Sequence, residues 1–266
     1  MQEAANRGRE VRLQARAGEG PPHSAGLAAG NLQGNLVILP AAAAADFEAF
    51  CRANPQPCPL VGISKPGDPG LPALGHDIDI RRDLAGYRVW RDGRLAAEVP
   101  EVSDLWQDDM VSFVIGCSFS FEAALIEAGI ELRHIDEGRN VSMYVTTIQT
   151  KPAGPFSGPM VVSMRPLKPE QVAEATRITA GAPNAHGAPV HAGDPAAIGI
   201  TDIAKPDFGD VTRIEPGEVP VFWACGVTPQ MALQAAKLPL AITHRPGAML
   251  VTDLPLDAKT PSDAAA

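Results

Sequence analysis

Proline and glycine interrupt this chain so often that they limit it to short helices and strands. The 266 residues include 26 Pro and 25 Gly, and proline breaks both helix interiors and strand ladders. A bundle of long helices is therefore disfavoured. The apolar share of 45% is still too high for an intrinsically disordered chain, so we expect a folded protein with many short elements.

Short apolar strands alternate with helical segments along the sequence. Helical spacing predicts helices over 46–54 and 169–180, and Asp92-Gly93 between two apolar runs predicts a hairpin. Further runs rich in β-branched residues predict strands at 35–39, 60–64, 141–148, 160–164, 198–200, 219–223, 240–244 and 249–252. Such interleaving favours an α/β architecture.

The predicted organisation is a mixed-sheet α/β main domain with a smaller inserted α+β subdomain. We place the main domain at residues 20–115 and 218–254 and the insertion at 116–217. The polar start, 1–19, and the tail, 255–266, are expected to be disordered, as chain ends often are.

Charge and composition narrow the classes of partner. The net charge is −9, and no stripe of Lys and Arg with interleaved aromatic residues indicates nucleic-acid binding. No apolar run approaches the twenty or so residues of a membrane span. Four cysteines without CxxC spacing do not indicate a disulfide framework. We therefore expect a cytoplasmic protein with a small-molecule ligand, and homo-oligomerisation stays open.

One pattern occurs twice. Residues 111–125 (VSFVIGCSFSFEAAL) and 219–233 (VPVFWACGVTPQMAL) each contain a short strand, a turn with Gly and Cys, and a helix. The free N–H groups at a helix start suit a carboxylate or a phosphate. The alternative is that strand–turn–helix units are simply how α/β proteins are built.

The residues at these two helix starts predict their caps. Thr228 can cap the second helix, with Pro229 in its first turn, and Ser118 or Ser120 can cap the first. Cys117 and Cys225 occupy the turns, where the pKa of a thiol can fall and create a nucleophile. The alternative for both cysteines is a buried, inert side chain.

Two histidines and a carboxylate lie close together in a loop rich in Gly and Pro. His186, His191 and Asp194 fall within nine residues. One histidine can transfer protons or bind substrate, although loop-stabilising hydrogen bonds would explain the same residues. All three could also bind a metal ion, but their spacing is not that of a standard metal site.

Other polar residues mark predicted strand ends. Arg139 and Asn140 open one strand and Arg165 closes another, and a guanidinium matches a carboxylate in a planar fork. Surface solvation is the alternative for both arginines. His244 ends a strand close to Asp253, which suggests a pair.

Several familiar signatures are absent from the sequence. It contains no GxGxxG, GxxxxGK[ST], HExxH or GxSxG motif. These absences disfavour dinucleotide, P-loop, zincin and α/β-hydrolase functions. No cofactor is expected, and a divalent metal stays a minor alternative.

Long sequence blocks resemble the D-glutamate cyclase family, whose members also carry a general hydro-lyase label. The similarity extends over about residues 20–254 in order. Its most specific blocks are GCSFSFEAALIEAGI (116–130), EGRNVSMY (137–144), GPMVVSMRP (158–166), HGAPVHAGDPAAIGI (186–200), VPVFWACGVTPQ (219–230) and ITHRPGAMLVTD (242–253).

The resemblance implies a fold of two subdomains and lyase chemistry on carbon–oxygen bonds. The family's named activity converts D-glutamate to 5-oxo-D-proline and water, a reaction of D-amino acid metabolism. It brings no agreed catalytic residues to this sequence. Three alternatives stay open: a hydro-lyase for another small carboxylic or hydroxy acid, a non-catalytic module that binds an acidic amino acid or lactam, and a metal-dependent hydrolase.

Three positions depart from the family pattern. Relatives usually show Arg and Asn where this chain has Val145 and Thr147, and an Arg-aromatic-Pro segment where it has a stretch beginning at Gly181. If those residues bind the substrate carboxylate in relatives, this chain acts on a different substrate or acts poorly.

Cyclisation of glutamate needs two carboxylates to be held. Our hypothesis assigns one carboxylate to Arg139 or Arg165. The other would bind at the turns, Cys117-Ser118 and Gly226-Thr228.

The reaction also needs a base for the ammonium group and an acid for the leaving oxygen. We assign this proton transfer to His186 or His191, with Asp194 orienting one of them. Asn140 and His244 complete the predicted substrate-binding set.

Overall fold

The computed structural model describes residues 2–260, with only the backbone of Gln2 and Ala4. Its helices are α1 (Gln2–Arg16), α2 (Ala41–Ala53), α3 (Phe119–Glu127), α4 (Arg133–Asp136), α5 (Val172–Ala180) and α6 (Thr228–Ala236). Its strands are β1 (Asn31–Pro40), β2 (Leu60–Ile63), β3 (Tyr87–Arg91), β4 (Arg94–Val99), β5 (Met110–Gly116), β6 (Ser142–Gln149), β7 (Pro159–Leu167), β8 (His191–Ala192), β9 (Val219–Ala224), β10 (Ala241–His244) and β11 (Leu250–Pro255).

The strands form two antiparallel sheets. The larger has the order β2-β5-β1-β10-β3-β4, and β11 also pairs with β1. The smaller has the order β6-β7-β9-β8. Helices and sheets are therefore mixed within one chain, which confirms the predicted α/β class.

Strand β1 lies inside the larger sheet and is buried on both faces. Leu36 and Ile38 belong to the apolar core on one face, whereas Val37 and Leu39 belong to the core on the other. This alternation follows from the two-residue period of a strand. The second core includes Phe47 of α2, so this helix packs against the sheet beside β1.

The smaller sheet also contributes to cores on both faces. Leu125 of α3, Ala175 of α5 and Trp223 of β9 belong to one of them, and Tyr144 and Phe222 belong to the other. A further buried cluster joins residues of the smaller sheet, of the two strand–helix turns and of the segment before β11. This cluster positions the candidate site.

The predicted disorder of residues 1–19 is wrong for most of the segment, because Gln2–Arg16 forms helix α1. Arg12 of α1 is fully buried, and its Nη1 lies 2.8 Å from Oδ1 of Asp253, while Arg16 pairs with Asp83. Acidic partners from far along the chain hold this basic helix, and the local composition does not reveal them. Met1 lies outside the described residues.

The predicted tail, 255–266, also begins in ordered structure. Strand β11 runs to Pro255, and Thr260 is buried. Residues 261–266 lie outside the described part of the chain.

Two other predictions can be compared with the sheets. The strand predicted at 198–200 is wrong, because Asp194 caps a 3₁₀ turn at Pro195–Ile198. The domain limits stay a prediction, but β9, which lies outside 116–217, pairs with β7 and β8 inside that range.

Between residues 2 and 260, no helix combines the length and apolar character needed to cross a membrane.

Candidate active site

The two strand–turn–helix units come together in space. Cys117 and Ser118 connect β5 to α3, and residues 225–227 connect β9 to α6. Both turn cysteines belong to one buried apolar cluster, together with Val161 of β7. The repeated sequence pattern thus places the starts of two nine-residue helices beside one another.

Asn35 of β1 lies between the two turns and touches both. Its Nδ2 donates to the carbonyl oxygens of Gly116, at 2.9 Å, and Ile115, at 3.2 Å. On the other side, a Cβ added to Gly226 would lie 1.9 Å from the same Nδ2. Glycine is therefore required at 226 for the second turn to approach Asn35 this closely.

Arg165 of β7 reaches the first turn and is fully engaged there. Its Nη2 donates to Oε1 of Glu122 at 2.5 Å and to Oγ of Ser118 at 3.1 Å, and its Nε also donates to Glu122. Its Nη1 donates to Ser163. The guanidinium also lies over two aromatic rings, those of Phe121 and Trp223. Arg165 is 1% exposed, so its charge is balanced within the protein.

Glu122 of α3 is the buried carboxylate of this network. Its Oε1 also lies 2.9 Å from Nε2 of His134, whereas its Oε2 has no hydrogen-bond partner within residues 2–260. Burial alone would raise the pKa of Glu122, but His134 and Arg165 together hold it below its usual value. Glu122 is therefore ionised at neutral pH.

His186 lies near the first turn in a strained backbone conformation. Its φ of +77° is in the left-handed region, which is uncommon for a non-glycine residue and often marks a functional site. Its Nδ1 lies 2.8 Å from the carbonyl oxygen of Gln56, so we assign the ring proton to Nδ1. Nε2 is buried without a partner in the described chain and carries the free lone pair.

Burial lowers the pKa of His186 to about 4. The carbonyls of Gln56 and Gly116 favour the charged ring, the nearby charge of Arg165 opposes it, and burial outweighs the carbonyls. The imidazole is therefore neutral at pH 7. A neutral ring with a free Nε2 lone pair can act as a general base.

The turn cysteines do not have the lowered pKa that their position suggested. Burial raises the pKa of Cys117 well above its usual value and raises that of Cys225 to about 11. The predicted fall in thiol pKa is therefore wrong. Both side chains are protonated at neutral pH, and Cys225 Sγ lies 3.6 Å from Sδ of Met143.

The hydroxyl groups at the helix starts do not cap the helices, contrary to prediction. Ser118 accepts from Arg165, and Ser120 accepts from the backbone N–H of Gln33. Thr228 is the first residue of α6, and its Oγ1 bonds to the carbonyl of Cys225 and to the backbone of Val161. The first-turn N–H groups of both helices therefore receive no side-chain cap.

The structure does not join the two histidines of the predicted proton-transfer group. His191 is half-buried, stacks on Phe222 and lies 2.8 Å from the backbone carbonyl of Asp194. The Asp194 carboxylate accepts from the N–H of Ala196 and so orients neither imidazole. No three His, Cys, Asp or Glu side chains within residues 2–260 are placed to hold a metal ion.

Arg139 and Asn140 lie away from the buried network. Arg139 is exposed, lies 3.4 Å from the carboxylate of Glu137 and donates to a backbone carbonyl. Asn140 Nδ2 donates to the carbonyl of Pro246. Because Arg139 is solvated and Arg165 is saturated, neither offers a free guanidinium for a carboxylate.

His244 is buried beside β1, near the second turn. Its Nδ1 lies 3.2 Å from the backbone nitrogen of Leu36, and Gln230 of α6 donates to its carbonyl oxygen. Burial lowers its pKa to about 4. The suggested pairing with Asp253 is wrong, because that carboxylate accepts from Arg12 and from the backbone of His76.

We call the residues around the two turns the two-turn cluster. It comprises Asn35, Cys117, Ser118, Glu122, His134, Arg165, His186, Cys225, Gly226 and Thr228. Each is less than a tenth exposed. The cluster is therefore a buried group of residues with two helix starts, the Glu122–Arg165 ion pair and the neutral imidazole of His186.

The sequence analysis missed several members of the cluster, chiefly Asn35, Glu122 and His134. A usable signal was present for Asn35, because Asn31, Gln33 and Asn35 alternate within a strand and share a face. All three are buried. Buried amides on one face of a strand indicate hydrogen bonds that offset the cost of removing these groups from water.

Two of the positions that depart from the family pattern, Val145 and Gly181, each line a surface depression. Val145 lines a cavity of about 350 Å³ with Tyr144 and Asp207. Gly181 lines a groove of about 570 Å³ formed by residues 181–184 and 256–260. Neither lining includes Arg165 or His186.

Comparisons with known proteins agree on one family. The sequence model described as D-glutamate cyclase matches residues 111–253. A relative from Verminephrobacter eiseniae is 62% identical over 92% of this chain and 90% of its own length. Relatives from Bordetella petrii and Methylobacterium radiotolerans are 60% and 58% identical, each over 92% of this chain and over 92% and 90% of their own. All three bear the name "Putative hydro-lyase".

Among solved structures, a nitrogen repressor-like protein from Methanococcus jannaschii aligns with 97% of this chain and 96% of its own. The TM-score is 0.42 and the sequence identity is 10%. A similarity of this size does not establish a shared fold.

Proposed function

This chain belongs to the D-glutamate cyclase family, and from that premise we propose that it is a hydro-lyase that cyclises D-glutamate to 5-oxo-D-proline and water at the two-turn cluster. One observation carries the proposal. A neutral His186 with a free, buried Nε2 lies beside the first turn, and Asn35 joins that turn to the second.

The proposed reaction requires a proton to leave the substrate before a bond can form. The amine loses a proton to Nε2 of His186 and attacks the γ-carboxyl carbon, and a C–N bond forms. The protonated imidazole gives this proton to one oxygen of the tetrahedral intermediate, and Nε2 then takes a second proton from the ring nitrogen and passes it to the same oxygen. The C–O bond breaks as that oxygen departs as water. One imidazole can serve both steps, because it returns to its starting state.

The positive ends of α3 and α6 suit the substrate carboxylates. Both helices begin at the cluster without a side-chain cap, but the N–H groups of Ser120, Phe121, Thr228 and Gln230 already donate to backbone carbonyls, so an anion would be attracted by the helix dipoles and would share these donors. They would also stabilise the negative oxygen of the intermediate. This assignment replaces the expected carboxylate contacts of Arg139 and Arg165.

Arg165 has a different proposed role. Because Glu122, Ser118 and Ser163 already accept from its guanidinium, it holds the first turn in place and contributes a fixed positive charge near His186. That charge favours the neutral imidazole, which is the form a base needs. We propose no cofactor for this reaction, and the remaining alternatives are another small hydroxy acid as substrate or a binding role alone.

The decisive experiment is detection of 5-oxoproline by chiral mass spectrometry after purified protein is incubated with D- or L-glutamate. We expect stereospecific product that a heat-inactivated sample does not form. His186→Gln should lower turnover by about 100-fold or more, the scale of a general acid–base group. His191→Gln is the matched control and should retain activity.

Two results would contradict the proposal. If neither enantiomer gives product with folded protein, the cyclase assignment fails and other small hydroxy acids become the substrates to test. If His186→Gln turns over at the wild-type rate, the imidazole has no part in the reaction.

A further inference from the structure

One oxygen of the ionised Glu122 carboxylate in the two-turn cluster has no hydrogen-bond donor in the described chain. Oε1 of Glu122 receives hydrogen bonds from Arg165 and His134, while Oε2 is buried and receives none from residues 2–260. A buried carboxylate oxygen without a donor is costly, and native proteins rarely leave one without a reason. The free oxygen therefore points to a donor that binds there.

The surroundings of Glu122 define the chemistry of that donor. The carboxylate influences the pKa of Cys117, so its charge is felt at the first turn. No basic side chain within residues 2–260 has a hydrogen bond to Oε2. A small cationic group with N–H donors satisfies the open lone pairs of Oε2 with charge-assisted hydrogen bonds.

We propose that Glu122 binds the ammonium group of the substrate through Oε2 and makes the site selective for amino acids over diacids that lack an amine. The inference rests on the proposed function for the identity of the amino acid. In this arrangement the ammonium group lies between Glu122 and His186, so the carboxylate orients it while Nε2 removes its proton.

The division of labour between the two residues follows from their charge. Arg165 and His134 hold the pKa of Glu122 below its usual value, so the ionised carboxylate is a good partner for a cation. His186 is neutral, and its Nε2 lone pair has no partner in the described chain, so it is placed to take a proton. Glu122 is thus a binding residue and His186 the base.

A ligand series tests this recognition without requiring turnover. Calorimetric titration of wild-type protein with D-glutamate, D-2-hydroxyglutarate and glutarate compares ligands that differ at one substituent. We expect D-glutamate to bind at least about 10-fold more tightly than either analogue, as a charge-assisted hydrogen bond implies. Equal affinity for glutarate would overturn the proposal, because an ammonium site must distinguish the two.

A charge-neutral double variant tests the residue itself. Glu122→Gln alone leaves Arg165 buried without its counter-ion, which is strongly destabilising, so Glu122→Gln is combined with Arg165→Met. The double variant should fold by circular dichroism and lose the preference for D-glutamate over glutarate. Glu127→Gln, an exposed change on the same helix, should retain the preference.

The outcomes separate this inference from the proposed reaction. Amine-dependent binding without 5-oxoproline supports the Glu122 inference and removes the cyclase reaction. Product formation by a double variant that still prefers D-glutamate over glutarate supports the reaction and removes Glu122. Failure of all three ligands to bind at millimolar concentration contradicts both.

Discussion

The two strand–helix turns share a sequence pattern but differ in the chemistry that surrounds them. At the first, Ser118 and Glu122 meet the buried guanidinium of Arg165. At the second, Thr228 bonds to neutral backbone groups, while Gln230 donates to the carbonyl of His244 and accepts from Arg88, whose counter-ion is Glu98. The local pattern therefore fixes where each helix begins, and distant residues decide whether a helix residue is itself part of a buried ion pair.

This difference means that the two turns depend on different kinds of interaction for their stability. A buried ion pair costs desolvation free energy that its geometry must offset, so a charged turn depends on every member of its network. The second turn, where the helix residues hold no ion pair themselves, depends on individual hydrogen bonds of modest worth. We expect substitutions at the first turn to be more damaging wherever they remove a charge.

The largest effect is expected from removing one member of the ion pair. Arg165→Met leaves the Glu122 carboxylate buried and uncompensated, which should lower the free energy of unfolding by about 3 to 5 kcal/mol. Urea denaturation at pH 7 measures the loss. The matched change at the second turn, Gln230→Met, removes hydrogen bonds to Arg88 and to the carbonyl of His244. Arg88 keeps Glu98 as its counter-ion, so this change should cost less, about 1 to 3 kcal/mol. Equal losses would show that charge does not distinguish the two turns.

The next effect concerns acid stability, to which each turn contributes one buried histidine. The pKa values of His186 and His244 are both lowered to about 4 by burial, whereas an unfolded histidine titrates near 6.5. Below about pH 6.5 these histidines bind protons in the unfolded chain, whereas in the folded chain they stay neutral until the pH approaches 4. Stability is therefore fully present above about pH 6.5 and is lost as the pH falls toward 4, by roughly 3 kcal/mol for each histidine.

Single variants assign this loss to one turn or the other. His186→Gln and His244→Gln should each flatten the decline in unfolding free energy between pH 6.5 and 4, when measured by urea denaturation across that range. His191→Gln should leave the decline unchanged. If both buried-histidine variants follow the wild-type curve, acid sensitivity arises elsewhere in the chain.

We expect losses of unfolding free energy of intermediate size when the glycines at the turns are replaced. A Cβ at Gly116 would lie 1.6 Å from the backbone oxygen of Asn184, whereas one at Gly226 would meet the side chain of Asn35. A side chain can move more easily than a backbone carbonyl. Both Ala variants should lose about 1 to 3 kcal/mol, with Gly116→Ala the worse, and Asn35→Ser should rescue only Gly226→Ala. Rescue of both, or of neither, would contradict the packing at Asn35.

The sequence predicted the framework of this site better than its chemistry. Periodicity and turn residues located β5, β9 and both following helices, because these signals are local. The partners of Glu122 could not be found in this way. Its ion pair joins α3 to β7 across 43 positions, and His134 follows it by 12. Only the tertiary packing of the smaller sheet brings these side chains together.

The same dependence on tertiary contacts explains why the predicted grouping of His186, His191 and Asp194 is wrong. His186, His191 and Asp194 are neighbours in sequence, but the 3₁₀ turn that begins at Pro195 uses the Asp194 carboxylate as its cap. The carbonyl that binds His186 comes instead from Gln56, 130 positions away. Proximity along an irregular loop therefore does not predict which side chains share a site.

The smallest expected losses of unfolding free energy come from the hydroxyl groups of the two turns. Here we expect the larger loss at the second turn and the smaller loss at the first. Thr228 Oγ1 accepts from the buried N–H of Val161, so Thr228→Val removes this contact and should cost about 1 to 2 kcal/mol. Ser118 only supplements contacts that Arg165 already makes to Glu122. Ser118→Ala should therefore cost less than about 1 kcal/mol. Urea denaturation of both variants gives the comparison, and a larger loss for Ser118→Ala would mean that its hydroxyl is essential to the ion pair.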